Sequence, residues 1–289
     1  MKRVREDRSG GREAKKRKPE PEKAPYGNYH RYYGYRAPRQ DDPRVEALDP
    51  AWFEGGHVLD VGCNAGNVLL SIAAHYNPIK ALGVDIDPRL IFNARKSLDR
   101  MTSSKRFLEE RTPKSEPPTD CQTSPQSTSN PPASNKRVPR PYAARFPDNV
   151  AFKSLNFVED DVPAVPLYKA VLCLSITKWV HLNWGDEGLM TMFRKCFALL
   201  EPGGRLILEP QPWSSYKKKF GVTETTKEHY KTIKLRPPQF SELLLNEIGF
   251  ERMDELPVVY SSERPLGSFT ERPLLVFTKA KSPEGPQSE

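Results

Sequence analysis

HVLDVGCNAGN, at residues 57–67, is the stretch of this chain that decides its fold. An apolar run typical of a buried strand passes into Gly62 and Gly66 immediately before a helical pattern begins. Glycine lets the backbone turn sharply there and approach a ligand closely, at the edge where open α/β sheets bind ligands. We expect Asp60 to brace the turn. An ordinary tight turn would explain one glycine, but it explains less well both glycines together with Asp60 and Asn64.

Short apolar runs alternate with helical spacing on both sides of this turn. The predicted strands are 57–61, 81–85, 150–155, 170–175 and 205–209, and the predicted helices are 68–75, 88–100, 187–200 and 239–248. Such alternation builds a parallel sheet, and the later runs 256–260 and 274–278 are expected to complete it as an antiparallel edge pair. The predicted fold is α/β of the class I Rossmann-like type, with a mostly parallel seven-stranded sheet and helices on both faces.

Charge and composition divide the chain into a domain and less regular parts. The chain carries 45 Lys and Arg against 37 Asp and Glu, and residues 1–23 alone hold ten basic and five acidic side chains. We predict a disordered basic tail at 1–23, one domain at 24–280 and a second disordered tail at 281–289. Within the domain, the stretch 102–148 is rich in Pro, Ser and Thr, which predicts a disordered insert.

The sequence also bears on location and redox state. No apolar run is long enough to span a bilayer or to form a secretory signal, which favours an intracellular protein. The KKRK cluster at 15–18 is typical of nuclear import, although a solvated charged tail has the same composition. The four cysteines lack the close spacing of a zinc site, so we expect neither a metal nor a disulfide.

A nucleoside-binding pattern follows the second predicted strand, in GVDID at 83–87. Asp85 comes just over twenty residues after Gly62, where a carboxylate accepts hydrogen bonds from ribose hydroxyls. A dinucleotide fits that logic too, but the third glycine of its phosphate-binding turn is missing, which favours S-adenosylmethionine over NAD. Asn156 and Phe157 are placed to touch the adenine, whereas Asp87 and Pro88 are interpreted as a helix start.

Three further segments are polar and aromatic: YGNYHRYYGYR at 26–36, VLCLSITKWVHLNWGDEG at 171–188 and LEPQPWSSYKKK at 208–219. The last two follow predicted strands, so their hydrogen-bond donors gather at the ligand edge of the sheet. Donors beside aromatic faces suggest recognition of phosphate and base. We interpret 26–36 as an arm that covers the site, and His181 as a structural hydrogen-bonding residue rather than a general base.

The chain resembles the Bin3 family of RNA methyltransferases over most of residues 25–280. The resemblance is carried by YGNYHRYYGYR, VLDVGCNAGN, GVDID, LSITKWVHLNWGDEGL and LEPQPWSSY. It implies a class I methyltransferase fold and transfer of a methyl group from S-adenosylmethionine to the 5′ γ-phosphate of RNA polymerase III transcripts of the 7SK small nuclear RNA type. The products are a methylphosphate cap, which stabilises the RNA, and S-adenosylhomocysteine. A nuclear location, a La-related protein as partner and a monomeric catalytic domain are implied as well.

The resemblance also assigns residues to the two ligands. Cofactor contacts are expected from Tyr33, Arg44, Gly62, Cys63, Asn64, Asp85, Ile86, Asn156, Phe157 and Leu174. Substrate contacts are expected from Lys178, Trp179, His181, Asn183, Gln211, Trp213, Ser214, Ser215, Tyr216 and Lys217, together with Tyr26, Asn28, Tyr29 and Arg36. Since a terminal phosphate is already ionised at neutral pH, no catalytic general base is expected and the site mainly has to position its ligands. Methylation of 5′-monophosphate RNA, an RNA-binding scaffold with little turnover, and methylation of a protein or small molecule remain alternatives.

Overall fold

A computed structural model describes residues 24–29, 42–111, 142–258 and 272–281. The predicted tail at 1–23, most of the predicted insert, nearly all of the tail at 281–289, and the candidate residues Tyr33 and Arg36 lie outside the described residues. The predictions for those parts of the chain stay predictions.

A seven-stranded sheet with the order β3-β2-β1-β4-β5-β7-β6 forms the centre of the described structure. β1 to β5 run parallel to one another, and β7 pairs antiparallel with both β5 and β6. This arrangement confirms the predicted mostly parallel, Rossmann-like sheet with its antiparallel edge. The strands are β1 (His57–Val61), β2 (Lys80–Asp85), β3 (Val150–Ser154), β4 (Tyr168–Leu174), β5 (Leu200–Glu209), β6 (Arg252–Leu256) and β7 (Leu274–Thr278).

One predicted strand is wrong in position. The edge strand β6 covers Arg252–Leu256 instead of 256–260, and none of its five residues is fully buried. Since an edge strand has one unpaired side and mostly exposed side chains, it carries little of the apolar signal on which the prediction depended. β7 lies between β5 and β6, is buried at all five positions, and matches its prediction.

The helices agree in order with the prediction but differ in extent. They are α1 (Pro43–Ala47), α2 (Asn67–His75), α3 (Pro88–Thr102), α4 (Lys105–Arg111), α5 (Thr177–Leu199), α6 (Trp213–Lys217), α7 (Glu224–Thr232) and α8 (Phe240–Leu243), with a π-helical turn at Leu244–Ile248. α5 begins ten residues before the predicted helix at 187–200, and Gly185 interrupts it with a φ of 64°. Among the described helices, none has the length and apolarity that a bilayer crossing requires.

Two apolar cores cover the two faces of the sheet, as the fold class predicts. One contains the buried side chains of α2 and α3, and the other those of α5 and α8. The ends of the predicted insert belong to the first core: Phe107 and Phe146 are buried, and the Tyr142 ring lies 5.2 Å from that of Phe107. The prediction of disorder throughout 102–148 is therefore wrong at both ends of that stretch.

Candidate active site

A cavity of about 450 Å³ opens where β1 to β4 end, at the carboxyl edge of the parallel strands. A cavity of this size holds a nucleoside-sized ligand. Most of its lining comes from the loops that follow these strands, from the first turns of α5, and from residues 26–29. Those lining residues include Tyr26, Gly27, Asn28, Tyr29, Gly62, Asn64, Asp85, Ile86, Asn156, Phe157, Leu174, Ser175, Ile176, Lys178, Trp179, Trp184, Gln211, Lys219 and Arg272.

The turn after β1 is shaped by left-handed backbone and by one carboxylate. Gly62 has a φ of 73°, and a Cβ on it would lie 2.3 Å from Cγ2 of Ile176. Asn64 also has positive φ, and its backbone N–H donates to Oδ2 of Asp85 at 2.9 Å. The bracing contact that we expected from Asp60 is therefore made by Asp85, which reaches across from the end of β2.

Asp85 itself lies at the cavity wall and is 8% exposed. Its second oxygen accepts the backbone N–H of Asp87 at 2.9 Å, while burial raises the pKa of the carboxyl. Each carboxylate oxygen has two acceptor sites, so these bonds leave capacity for ligand hydroxyls. Asp87 caps α3 by accepting the N–H of Arg89, as predicted.

Asp60 is buried beneath the turn, with 3% of its surface exposed. Burial raises its pKa to about 7; the Arg44 guanidinium opposes that rise and the Asp85 carboxylate adds to it. Cys63 is also buried, and its thiol hydrogen-bonds to the Asn64 carbonyl instead of lining the cavity. The geometry therefore does not place the Cys63 side chain in contact with a cofactor.

The wall after β3 is a turn of residues 155–158. Phe157 is buried and faces the cavity. Asn156 lines the cavity too, but its side-chain oxygen accepts the N–H groups of Val158 and Glu159 and its amide donates to Glu159. We expected the side-chain amide of Asn156 to contact adenine, but it instead hydrogen-bonds within the turn and stabilises it.

Three cationic side chains line the same cavity close to one another: Lys178, Lys219 and Arg272. Lys178 is 7% exposed, and its ammonium lies 4.7 Å from the centre of the Trp179 ring. Burial, followed by the positive charges of Arg272, Lys219 and Lys218, lowers the pKa of Lys178 to about 7. Such crowding of like charges is costly in the free protein and suits a multiply charged anion.

Residues 26–29, the described part of the segment that we expected to form an arm, line this cavity. Tyr26 stacks on Trp184 with ring centres 5.7 Å apart, and Asn28 donates to Asp87 at 2.7 Å. Gly27 has a φ of 71°, and a Cβ on it would overlap the Trp179 indole at 2.0 Å. Asn183 supports the segment from α5 by donating to the carbonyl of Pro25 at 2.9 Å.

Gln211 fixes the start of α5 against the end of β5. Its side-chain oxygen accepts the Thr177 hydroxyl at 2.9 Å and the backbone N–H of Lys178 at 3.0 Å, and its amide donates to the Ser175 carbonyl. Gln211 thus holds the segment that carries Lys178, while itself lining the cavity.

His181 is fully buried, and each ring nitrogen has a partner. Nε2 lies 2.7 Å from Oδ1 of Asp186, and Nδ1 lies 3.3 Å from the Tyr216 hydroxyl. Burial lowers the pKa of His181, although Asp186 acts in the opposite direction. This environment agrees with the structural interpretation of His181, and it places His181 and Tyr216 behind the cavity rather than in its lining.

Several other predicted contact residues lie away from the cavity. Arg44 is 1% exposed and pairs with Asp42 at 2.7 Å and with Glu209 at 2.9 Å, so its guanidinium joins the start of α1 to the end of β5. Trp213 lies under Arg236, 3.6 Å from ring centre to guanidinium, and stacks on Tyr230. Ser214 and Lys217 are exposed on α6 and Ser215 is partly buried there; none of the three contributes to the lining.

Sequence reasoning missed several residues that line the cavity, and four of them contribute to the site described above. They are Ile176, Trp184, Lys219 and Arg272. Lys219 and Trp184 stand in segments that we singled out, so their residue types gave a signal. Arg272 gave no such signal, because it is far in the sequence from the other site residues. It lies at the site because it comes just before β7.

Comparison of the sequence with known proteins identifies the family to which the chain belongs. The family model described as Bicoid-interacting protein 3 (Bin3) matches residues 168–279. The 7SK snRNA methylphosphate capping enzyme of Mus musculus is 43% identical over 277 residues, covering 89% of this chain and 41% of that protein. A probable RNA methyltransferase of Arabidopsis thaliana is 39% identical, covering 88% of this chain and 80% of that protein. The U6 snRNA methylphosphate capping enzyme Amus of Drosophila melanogaster is 34% identical, covering 88% and 75%.

The chain spans less than half the length of the mouse relative and most of the length of the other two. Identity of this level over nearly nine tenths of the chain agrees with the motifs at 26–36, 57–67 and 174–189. On this evidence the chain belongs to the Bin3 family.

Proposed function

We propose that this chain is an S-adenosylmethionine-dependent RNA methyltransferase that methylates the 5′ γ-phosphate of a small nuclear RNA of the 7SK type. The observation that carries the proposal is one cavity that is lined both by a carboxylate with a glycine turn and by three cations. The first set suits a nucleoside and the second suits a phosphate chain, so we call these two parts of the lining the nucleoside end and the phosphate end. The methylphosphate cap formed there would stabilise the RNA.

The nucleoside end fits S-adenosylmethionine. Asp85 is positioned for the ribose hydroxyls, the turn at Gly62 and Asn64 leaves room for close backbone approach, and Phe157 and Leu174 offer apolar surface for the adenine. The cofactor supplies an electrophilic methyl group, and its transfer leaves S-adenosylhomocysteine. The role of the chain's own residues is to hold that end fixed.

The cationic end fits a 5′ triphosphate. Lys178, Lys219 and Arg272 would bind the phosphate oxygens, while Tyr29, Trp179 and Trp184 offer aromatic surface for the first nucleotides. A terminal phosphate is ionised at neutral pH, so its oxygen needs no general base to attack. The buried His181 is accordingly not assigned a proton-transfer step.

Two alternatives make different demands on the site. A 5′-monophosphate RNA brings about two negative charges near neutral pH, fewer than the three cations around the cavity. A scaffold without turnover would not need Asp85 held by two backbone hydrogen bonds at the nucleoside end. The first observation favours the longer phosphate chain, and the second favours a methyltransferase over a scaffold.

The test is transfer of labelled methyl from S-adenosylmethionine to matched hairpin RNAs that carry a 5′ triphosphate, monophosphate or hydroxyl. We expect labelling of the triphosphate RNA, and a background level with Asp85→Ala. Preferred labelling of the monophosphate RNA would assign the alternative substrate, and RNA binding without labelling would make the chain a scaffold.

We further propose a nuclear location, a La-related protein as partner on the same RNA, and a monomeric catalytic domain. The KKRK sequence at 15–18 supports the first, and family membership supports the others. Imaging of wild-type protein and of a variant with the four KKRK residues changed to alanine would test the location. Copurification with and without ribonuclease would test the partner, and light scattering would test the monomeric state. A cytoplasmic wild-type protein would contradict the nuclear location. The absence of a La-related protein among the RNA-dependent partners would contradict the second proposal, and a dimer would contradict the third.

A further inference from the structure

Lys195, on the second half of α5, contacts the turn that follows β3. Its ammonium donates to three backbone carbonyls: Phe157 at 3.2 Å, Val158 at 2.9 Å and Asp160 at 2.7 Å. An ammonium has three N–H donors, so this one group satisfies three carbonyls that converge on a single point. Lys195 is half-buried and does not line the cavity.

The contacted turn is a wall of the cavity. Phe157 and Val158 both line it, and the ring of Phe157 is buried against the core on the same face of the sheet as α5. Within the turn, the N–H of Asn156 donates to the Asp160 carboxylate and the N–H of Asp160 donates back to the Asn156 carbonyl, both at 2.9 Å. These local bonds close the turn, but they leave its carbonyls at 157, 158 and 160 directed at Lys195.

Convergent carbonyl oxygens repel each other unless a donor lies between them. Charged hydrogen bonds are stronger than neutral ones, and removal of the donor leaves each oxygen to find water or to rotate away. Rotation of these peptide groups would move Phe157, because its own carbonyl is one of the three. The position of the cavity wall therefore depends on a side chain outside the cavity.

We propose that Lys195 is a positioning residue for the nucleoside end of the site. It holds the 156–160 turn so that Phe157 and its neighbours fit the cofactor, and it has no role at the phosphate end. The inference rests on the proposed function in that it takes the bound nucleoside to be S-adenosylmethionine.

Lys279 offers a matched control. Its ammonium donates to the carbonyls of Phe197 at 2.9 Å and Leu200 at 2.7 Å, where α5 ends, and it lies outside the cavity lining. Lys279→Met removes the same kind of contact at the carboxyl end of the same helix, without touching the 156–160 turn. A loss of general stability should therefore be similar for Lys195→Met and Lys279→Met.

The decisive measurement is the Kd for S-adenosylhomocysteine by calorimetry on the full chain, together with KM and kcat on triphosphate hairpin RNA. For Lys195→Met we expect a Kd and a cofactor KM raised about tenfold, equivalent to about 1.4 kcal/mol, with the RNA KM unchanged. Lys279→Met should keep the wild-type Kd. A folded Lys195→Met with wild-type Kd, or equal weakening in both variants, overturns the proposal.

Lys195→Arg and hydrogen exchange provide a second line of evidence. The planar Arg fork keeps the charge but cannot direct three donors to one point, so the Kd should lie between those of wild type and Lys195→Met. Amides of the 155–161 peptide should exchange faster in both Lys195 variants. If Lys195→Met does not fold, Lys195→Arg provides the test. A raised Kd with faster amide exchange in Lys195→Arg supports the proposal, and a wild-type Kd with a wild-type exchange rate overturns it. If wild-type protein does not bind S-adenosylhomocysteine, the proposed function itself has failed.

Discussion

Lys178 gives the sharpest test of the phosphate end, because its charge depends on whether an anion is bound. In the free protein its pKa is about 7 instead of 10.5, owing first to burial and then to Arg272, Lys219 and Lys218. A bound triphosphate adds negative charge beside the ammonium and raises its pKa. Above pH 7, RNA binding is therefore coupled to uptake of one proton by Lys178.

The size of the effect follows from that pKa. If the bound anion restored the ordinary value, the coupling would reach at most about 5 kcal/mol, since each pH unit of displacement corresponds to about 1.4 kcal/mol. At a pH well above the free pKa and below the bound one, KM for RNA rises up to about tenfold per pH unit. Between pH 7 and pH 9 we expect a rise of about 10- to 50-fold, because half of the Lys178 ammonium is already deprotonated at pH 7.

The assay is the RNA KM from pH 6 to pH 9 at constant ionic strength, in wild type and in Lys178→Arg. The Arg guanidinium stays charged throughout, so the KM of the variant should stay nearly flat above pH 7. Titration of the RNA phosphate affects both enzymes alike and cancels in their ratio. Parallel KM profiles for the two proteins would refute the coupling.

Four further predictions concern other parts of the structure. Asp85→Ala should weaken S-adenosylhomocysteine binding at least about tenfold, because it removes charged acceptors of hydrogen bonds; calorimetry measures this loss, and an unchanged Kd would contradict it. Gly27→Ala should raise the RNA KM with little change in Tm, since its Cβ would overlap Trp179 and displace the arm; an unchanged RNA KM in steady-state kinetics would show that the arm does not contribute to RNA binding. Asp60 has a pKa of about 7 when folded and 3.8 ordinarily, so folding favours its protonated form and stability should fall by up to about 1.4 kcal/mol per pH unit from pH 4 to pH 7; urea unfolding of Asp60→Asn should lack that fall, and equal slopes would rule the assignment out. Replacement of 112–141 by a short Gly-Ser linker should preserve kcat and KM, because the described ends of the insert meet away from the cavity; loss of methyl transfer in a folded variant would show otherwise.

Much of the sheet could be predicted because buried parallel strands are continuous apolar runs. β1 and β7 match their predicted bounds, whereas β6 was misplaced because its exposed side chains carry no such pattern. The first half of α5 was missed because its buried side chains include Lys178 and His181, and polar residues at buried positions give the pattern expected of a loop. Tertiary partners, not local periodicity, make those two residues compatible with burial.

The site could be predicted by residue type more readily than by side-chain direction. The lysine run 217–219 was recognised, but the helix Trp213–Lys217 leaves Lys217 exposed while Lys219 reaches the cavity. Arg44 was expected at the cofactor, and the structure instead buries it between Asp42 and Glu209. Spacing along a chain fixes which edge of the sheet a residue approaches, but not which neighbour neutralises its charge.

The break at Gly185 gives α5 two separable parts. Lys178 and Trp179 precede the break and line the cavity at the proposed phosphate end, whereas Lys195 follows it and contacts the turn at the proposed nucleoside end. Chimaeras that exchange only residues 177–184 between family members could therefore retune the choice of RNA terminus without disturbing cofactor affinity. One helix thus offers two independent places at which evolution, or an engineer, can adjust the proposed activity.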